Sequence, residues 1–271
     1  MATSPLVAGL ALTWMSVMSV VEPALEQAQI TAENGAESAR PVSPWLALLA
    51  AVLIVAASAL SAVGMLSAMR MTLPTPVMGD GTLVLLVGML TAQVTMVALT
   101  VVLVRRWIGS PLPVMALERP AGGFAVYAGY FAAMLAAIVA YNAVLVLAFG
   151  HDPLTDLRSF APMIQSPWWP LAFLVIGIGA PVSEEVLFRG FLLPVLAETK
   201  IGFWGAALVA TILWTALHAG YSAAGIVEVL LIGLMFAFML RRTGSLRVPM
   251  VCHAVYNSAL ALVVKFYPAL F

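Results

Sequence analysis

Two adjacent carboxylates and an arginine stand inside an apolar stretch of this chain. Glu184, Glu185 and Arg189 interrupt the run 168–196, in which most other residues are hydrophobic. Ionisable side chains are costly at membrane depth and usually mark a functional site there. Glu185 and Arg189 are four residues apart, so on a helix they share one face and can form an ion pair. Glu184 lies about 100° around the same helix, which leaves its carboxylate free for another partner.

Glu184 is therefore the candidate general base. A carboxylate that faces the interior of a helix bundle without a cationic partner is desolvated, and desolvation makes it take up a proton more readily. Such a group can accept a proton from water while the water attacks a carbonyl carbon. The buried ion pair of Glu185 and Arg189 is better explained as a packing element that supports the site.

Two histidines and an asparagine occur in neighbouring apolar segments. His218 follows Trp214 by four residues and Asn257 follows His253 by four residues, so each pair shares a helix face. Imidazole and amide groups can move protons or donate hydrogen bonds to a developing negative charge. Interhelical hydrogen bonding and an interfacial histidine are the simpler explanations of these residues taken alone. Together with Glu184, they favour hydrolytic chemistry within a membrane.

Composition places the chain in a membrane. Hydrophobic residues make up 63% of its 271 residues and charged residues 9%, with a mean hydropathy of +1.07. Soluble domains are about 45–50% apolar. The formal net charge is zero and no long basic run occurs, so we expect no nucleic-acid partner. Cys252 is the only cysteine, which excludes an intramolecular disulfide, a CxxC redox pair and a thiolate-rich zinc site.

The apolar runs predict an all-α bundle of seven to eight transmembrane helices. A spanning helix needs about 20 apolar residues, and the candidate segments are 45–69, 82–104, 123–149, 168–196, 203–217, 222–240 and 248–266. The segment 203–217 is short for a span. Pro181 closely precedes the two carboxylates, and proline fits best in the first turn of a helix. We therefore expect a kink or a new helix start near Pro181.

Residues 1–44 form a separate N-terminal region in this interpretation. An eighth apolar run, 6–21, suits either a short span or the core of a signal peptide. It has no preceding Lys or Arg and no clear cleavage site after it, which favours a retained helix. Residues 22–44 hold four glutamates and one arginine among small residues and are predicted to be an exposed linker. Residues 45–271 form the transmembrane domain, with the catalytic core at 168–266.

Hydropathy does not fix the relative depths of the polar residues. His218 lies at the far end of its short segment, whereas His253 lies near the start of the last segment, two segments later. Because successive spans run in opposite directions, these two positions lie towards opposite sides of the membrane. The two histidines can meet only where helices are broken, tilted or end elsewhere.

These residues resemble the motifs of the CPBP family, which comprises CAAX prenyl endopeptidases and Abi-like bacteriocin-processing proteins. The resemblance covers about residues 168–266, and the three motifs are, in chain order, Glu184-Glu185-x-x-x-Arg189, Trp214-x-x-x-His218 and His253-x-x-x-Asn257. Two further stretches similar to the family are Arg189-Gly190 and Thr243-Gly244-Ser245-Leu246. Trp214 departs from the pattern, because the family usually has Phe there. Trp in place of Phe keeps an aromatic ring at this position of the expected cavity.

The resemblance implies an intramembrane endopeptidase whose polytopic bundle encloses a polar, water-filled cavity. It implies that Glu184 and His218 activate a water molecule, while His253 and Asn257 stabilise the oxyanion. The residues that would support this site are Glu185, Arg189 and Trp214. The substrate would be a peptide or protein, either prenylated or otherwise anchored in the lipid bilayer, and no cofactor is expected. The protein would be a multi-pass protein of a prokaryotic cell membrane.

Three alternatives remain open at this point. A zinc-dependent protease would use Glu184, His218 and His253 as metal ligands, although the chain has no HExxH motif to enforce that geometry. A proton-coupled transporter would use ionisable residues within helices, with Glu228 as part of a relay. The two halves of the chain show no repeated pair of broken helices, which does not favour a transporter. A non-hydrolytic scaffold or immunity protein of the same family is the third alternative.

Overall fold

The protein is a bundle of transmembrane helices. The computed structural model describes residues 42–72, 74 and 81–271. Within those residues, six helices are long and apolar enough to cross a membrane, and many large hydrophobic side chains are exposed on the outside of the bundle. In chain order these helices, with one shorter apolar helix α5, are α1 (Pro44–Thr72), α2 (Thr82–Trp107), α3 (Phe124–Phe149), α4 (Trp169–Ala197), α5 (Gly202–Ala216), α6 (Ala223–Thr243) and α7 (Arg247–Phe266).

The helices confirm the predicted all-α transmembrane bundle. Each of the seven apolar segments is a helix whose ends differ from the prediction by at most three residues. Helix α5 has 15 residues and extends about 22 Å, short of the about 30 Å hydrocarbon core. The eighth helix predicted at 6–21 and nearly all of the linker predicted at 22–44 lie outside the described residues. The division near residue 44 therefore stays a prediction.

Helix α4 carries both adjacent carboxylates and is the most buried of the long helices. Half of its most apolar stretch, 50%, is buried inside the bundle. Two π-helical segments, Phe173–Gly179 and Val186–Leu192, flank the α-helical segment Ala180–Glu185. The α-helical segment begins at Ala180 and has Pro181 in its first turn, as predicted, but it continues directly from the π-helical segment before it rather than from a loop. The widened turns on either side are a feature often found at functional sites.

Pro181 leaves carbonyl groups of α4 to be bonded by side chains. Proline has no amide hydrogen, so it can donate neither to residue 177, as an α-helical turn would require, nor to residue 176, as a π-helical turn would. Ser258 Oγ of α7 donates to Gly177 O at 3.3 Å. Val175 O accepts from Ala180 N in the π-helical turn, and it also accepts from Gln93 Nε2 of α2 at 3.0 Å. Side chains of α2 and α7 thus hold the part of α4 that precedes the carboxylates.

A tight connection between α6 and α7 sets where α7 begins. Gly244 has a φ of 60°, the left-handed conformation that commonly ends helices. Ser245 Oγ then donates to Glu118 O at 2.6 Å. Arg247 Nε donates to Leu117 O at 2.6 Å. Stretch 243–246, one of those similar to the family, therefore has a structural role, because it fixes the first turn of α7 against the segment that follows α2.

Candidate active site

The site contains a buried ion pair between Glu185 and Arg189. Arg189 Nη1 donates to Glu185 Oε1 at 3.0 Å, and both side chains are fully buried, with 0% of each exposed. Arg189 Nη2 donates to Gly233 O of α6 at 3.2 Å. The guanidinium carbon lies 4.4 Å from the centre of the Trp214 ring and 5.6 Å from that of Phe236. The pairing predicted from the four-residue spacing is present, and it joins α4 to α5 and α6.

His253 lies between the two adjacent carboxylates. Its Nδ1 is 3.2 Å from Glu185 Oε1, and its Nε2 is 4.0 Å from Glu184 Oε2. A carboxylate oxygen accepts hydrogen bonds, so Nδ1 carries the proton in this contact and the ring orientation is fixed. Glu185 therefore holds His253 as well as Arg189. Spacing along α4 indicated the contact with Arg189, but nothing in the sequence indicated the one with His253, which comes from α7.

Trp214 holds Glu184 by a hydrogen bond. Its Nε1 donates to Glu184 Oε2 at 2.6 Å, and the Glu184 side chain is 17% exposed. The carboxylate expected to be free for a partner on another helix has thus found one in α5. Indole is a donor that Phe lacks. Trp214 is therefore more than an aromatic wall, because it orients the candidate base.

His218 lies just beyond the end of α5 and contacts the site through Trp214. Its Nδ1 is 3.2 Å from Trp214 O, and since a carbonyl oxygen only accepts, Nδ1 carries the proton. The neutral ring then presents Nε2 as an acceptor. The His218 ring makes edge-to-face contacts with Trp214 and Tyr221, with centroids 5.0 and 5.2 Å apart. Within the described part of the chain, no hydrogen bond or ion pair joins His218 directly to Glu184.

Asn257 faces α4 from the same side of α7 as His253. Its Nδ2 donates to Ile176 O at 3.2 Å, one of the carbonyl groups that Pro181 leaves without a backbone donor. An amide nitrogen has two hydrogens, so this bond engages one and leaves the other. The four-residue spacing predicted that both side chains point to one place, and the structure adds that Asn257 also ties α7 to α4.

The structure brings the two histidines together around Trp214. The Trp214 ring lies 5.0 Å from the His218 ring and 5.6 Å from the His253 ring, centroid to centroid. Helix α5 ends at Ala216, so His218 lies in the turn that follows and contacts the Trp214 ring from there. Sequence reasoning missed Tyr221, which packs on His218; its only signal is the three-residue spacing after that histidine.

The residues of the zinc alternative do not form a ligand set as placed. Zinc requires donor atoms at about 2.0–2.3 Å, and among the described residues no three His, Cys, Asp or Glu side chains are grouped closely enough to hold a metal ion. His218 Nδ1 bonds the Trp214 carbonyl, and His253 Nδ1 bonds Glu185.

Glu228 is an intramembrane carboxylate outside this cluster. Its Oε2 accepts from Asn142 Nδ2 at 2.8 Å and its Oε1 accepts from Tyr256 OH at 3.0 Å. It also borders a mostly apolar cavity of about 320 Å³ between α3 and α6. The two hydrogen bonds join α3, α6 and α7, which gives Glu228 a structural explanation that does not require a transport relay.

The part of the chain that forms this site resembles known proteins. Residues 166–259, which contain every predicted site residue, match the family described as type II CAAX prenyl endopeptidase, Rce1-like. The chain is 31% identical over 158 residues to an uncharacterized 24.3 kDa protein of Escherichia coli, and the alignment covers 55% of this chain and 67% of that protein.

Two further relatives come from Bacillus subtilis. YdiL, named as a candidate membrane peptidase, is 27% identical over 132 residues, which cover 48% of this chain and 52% of YdiL. The uncharacterized protein YpbD is 33% identical over 86 residues, which cover 31% of this chain and 41% of YpbD. No solved structure matches the chain significantly. With six candidate spans and bacterial relatives, the protein is a multi-pass membrane protein of prokaryotic origin.

Removing one charge of the buried pair should destabilise the protein more than removing both. Glu185→Gln leaves the Arg189 guanidinium buried without its carboxylate, a loss of about 3–5 kcal/mol in buried pairs. Arg189→Met leaves the opposite charge unpaired. The double variant removes both charges and should recover most of the loss. The free energy of unfolding in detergent micelles is the measurement, with abundance in membranes as a second readout.

Glu198→Gln is the matched control for these variants. Glu198 is exposed immediately after α4, and exposed substitutions usually change stability by less than about 0.5 kcal/mol. A double variant that loses as much free energy as the two single variants combined would contradict the energetic coupling of Glu185 and Arg189.

Proposed function

The chain belongs to the Rce1-like family of type II CAAX prenyl endopeptidases, and on this premise we propose that it hydrolyses a peptide bond within the membrane. The family and the relative named as a membrane peptidase support an intramembrane protease. We propose further that Glu184 is the base in this reaction and that no metal takes part. The proposed substrate is a peptide or protein that is prenylated or otherwise held at the bilayer.

The placement of Glu184 is the observation that carries the proposal. Its Oε2 accepts from Trp214 Nε1 and lies near His253 Nε2, so the carboxylate has one defined orientation. Its Oε1 has no hydrogen-bond or ion-pair partner among the described residues, and the side chain is partly exposed. Oε1 is therefore the atom at which a water molecule can bind and lose a proton.

In the proposed reaction, Glu184 takes one proton from water and later gives it to the leaving group. Water attacks the carbonyl carbon of the scissile bond as Glu184 Oε1 takes its proton, so that the new carbon–oxygen bond forms and the carbonyl oxygen becomes negative. Glu184 then returns the proton to the leaving nitrogen as the carbon–nitrogen bond breaks. His218, with Nε2 available as an acceptor, is proposed to help hold the attacking water.

His253 and Asn257 are the proposed donors to the negative oxygen. When protonated, His253 donates from Nδ1 to Glu185 and presents Nε2–H on the side of Glu184. Asn257 has one amide hydrogen not used by Ile176. Preorganised donors aimed at the oxyanion commonly supply the largest share of rate enhancement in acyl transfer. Glu185 and Arg189 hold His253 in place, so the buried pair supports catalysis indirectly.

Glu184→Gln should abolish proteolysis and leave the folded protein nearly as abundant. The amide oxygen still accepts from Trp214 Nε1, but the side chain can no longer take a proton, and a positioned base is worth about 10²–10⁴-fold in rate. The measurement is cleavage of a peptide library by purified wild type and variant, with Glu198→Gln as the control. Full activity in Glu184→Gln would remove the mechanism, and a wild type that cleaves nothing would favour the non-hydrolytic scaffold.

Removal of metal ions separates the two hydrolytic mechanisms. If Glu184 and His218 activate water, activity should survive extensive chelation and the purified protein should hold far less than one zinc per chain. Elemental analysis and cleavage before and after dialysis against a chelator measure both quantities. Stoichiometric zinc that disappears in His253→Ala, together with loss of activity on chelation, would favour the zinc alternative instead.

Asn257→Ala should lower turnover by about 10²–10³-fold and change the Michaelis constant little, because one oxyanion donor is lost. Ser258→Ala is the matched control. It also loses one hydrogen bond from α7 to a carbonyl of α4, so both variants should lose similar stability, about 0.5–1.5 kcal/mol. Steady-state kinetics and thermal unfolding compare them. Equal turnover in the two variants would contradict the role of Asn257 as an oxyanion donor and leave it only a structural role between α7 and α4.

A further inference from the structure

The segment between α3 and α4 contacts the turn that carries His218. Asp156 Oδ1 accepts from Ser222 N at 2.7 Å, and Asp156 Oδ2 accepts from Ser222 Oγ at 2.8 Å. Both oxygens of one carboxylate therefore bind one residue that lies 66 positions away in the sequence. Ser222 is the last residue of the turn 217–222 that connects α5 to α6.

The start of α6 is shaped to receive this carboxylate. Ser222 Oγ accepts from Gly225 N at 3.1 Å, which makes Ser222 the N-cap of α6. A Cβ atom at Gly225 would collide with the Asp156 carboxylate, so glycine leaves the space that Asp156 occupies. A negative charge beside a helix N-terminus is also electrostatically favourable. Ser222 and Gly225 at the start of α6 therefore both fit the Asp156 carboxylate, the first by hydrogen bonds and the second by leaving space.

The same turn places His218. Tyr221 N donates to His218 O at 2.9 Å, and the Tyr221 ring packs edge-to-face on the His218 ring. Phe160, four residues after Asp156, packs edge-to-face on the Tyr221 ring, with the two centroids 6.3 Å apart. Burial, with the charges of Glu184 and Asp156, raises the pKa of Tyr221, so its ring stays neutral beside His218.

The turn that bears His218 is consequently held at two points. At its start, His218 Nδ1 bonds the Trp214 carbonyl at the end of α5. At its end, Ser222 is held by Asp156. The other contacts of the turn are edge-to-face ring contacts and backbone hydrogen bonds within the turn and to the end of α5, such as that from His218 N to Thr215 O at 2.9 Å. The hydrogen bonds of Asp156 are therefore the ones that tie the far end of the turn to the segment between α3 and α4.

We propose that Asp156 is a positioning residue that fixes His218 in its orientation towards the site, through Ser222, Tyr221 and Phe160. Asp156 does not touch the reacting atoms. The proposal rests on the proposed function, in which His218 helps to hold the attacking water. It adds the segment that follows α3 to the set of elements that build the active site, although this segment carries none of the family-like motifs.

The test compares two aspartates of the same segment. Asp156→Ala removes both acceptors of Ser222. Asp152→Ala is the control, because Asp152 pairs with Arg158 at 2.6 Å on an exposed surface and accepts from Leu154 N at 3.0 Å. Each change removes one negative charge from the segment. Only Asp156→Ala breaks the contact with the start of α6.

The first readout is the His218 ring itself. The chain has three histidines, so ¹⁵N signals of its imidazole rings can be assigned with one substitution each. In the wild type, His218 should hold its proton at Nδ1. In Asp156→Ala it should become a mixture of both tautomers, whereas His253 should be unchanged, and Asp152→Ala should leave both rings unchanged. An unaltered His218 ring, or equal changes in His218 and His253, would overturn the proposal.

The second readout is turnover. Misplacement of a reacting group by about 1 Å can cost about 100-fold in rate, so Asp156→Ala should lower kcat roughly tenfold to a hundredfold with little change in KM, and Asp152→Ala should lower neither. If Asp156→Ala does not fold, Asp156→Asn, which keeps one acceptor oxygen, and Gly225→Ala, which displaces the carboxylate, should shift the same His218 signals. A wild type without protease activity would remove the proposed function, yet the His218 signals would still decide this proposal.

Discussion

A buried ion pair in surroundings that exclude water is the interaction on which the rest of this structure depends. Glu185 and Arg189 are fully enclosed, and taking two charges out of water costs several kcal/mol per ion unless their remaining hydrogen-bonding groups find partners. The guanidinium bonds the Gly233 carbonyl and lies over the Trp214 ring, and the carboxylate also binds His253, while Arg189 Nε and Glu185 Oε2 are buried without a hydrogen-bond partner among the described residues. Gly233, Trp214 and His253 come from three other helices. The helices therefore have to pack around the pair in one arrangement, and that arrangement creates the site.

Trp214 links the ion pair to the candidate catalytic groups Glu184 and His218. Its ring lies over the guanidinium, its indole nitrogen bonds Glu184, and its carbonyl bonds His218. A phenylalanine would preserve the first contact and the last, but it could not orient Glu184. In this chain the position of the candidate base is therefore coupled to the ion pair through one side chain of α5, and Glu184 Oε1 has no hydrogen-bond partner among the described residues.

Much of the fold could be predicted because bilayer thickness fixes the length of an apolar run. The helix ends lie within three residues of the predicted segments, and the pairing of Glu185 with Arg189 follows from helical periodicity. The predicted start of an α-helical segment at Pro181 is present, but a local rule about proline could not show that Asn257 and Ser258 of α7 would bond carbonyl groups just before it. With those bonds made from another helix, α4 runs on from a π-helical segment into this α-helical one.

By itself, the sequence determined the membrane environment, the limits of the seven apolar helices between residues 44 and 266, and which polar residues share a helix face. All of these depend on the period and polarity of a single segment. Only the tertiary structure decided that Glu184 would meet Trp214, that His253 would lie between two carboxylates, and that Asp156 would hold the turn before α6. Such contacts depend on the depths and crossing positions of different helices. In an apolar bundle these are set by side-chain packing across helix interfaces, for which no single segment of sequence carries a local signal.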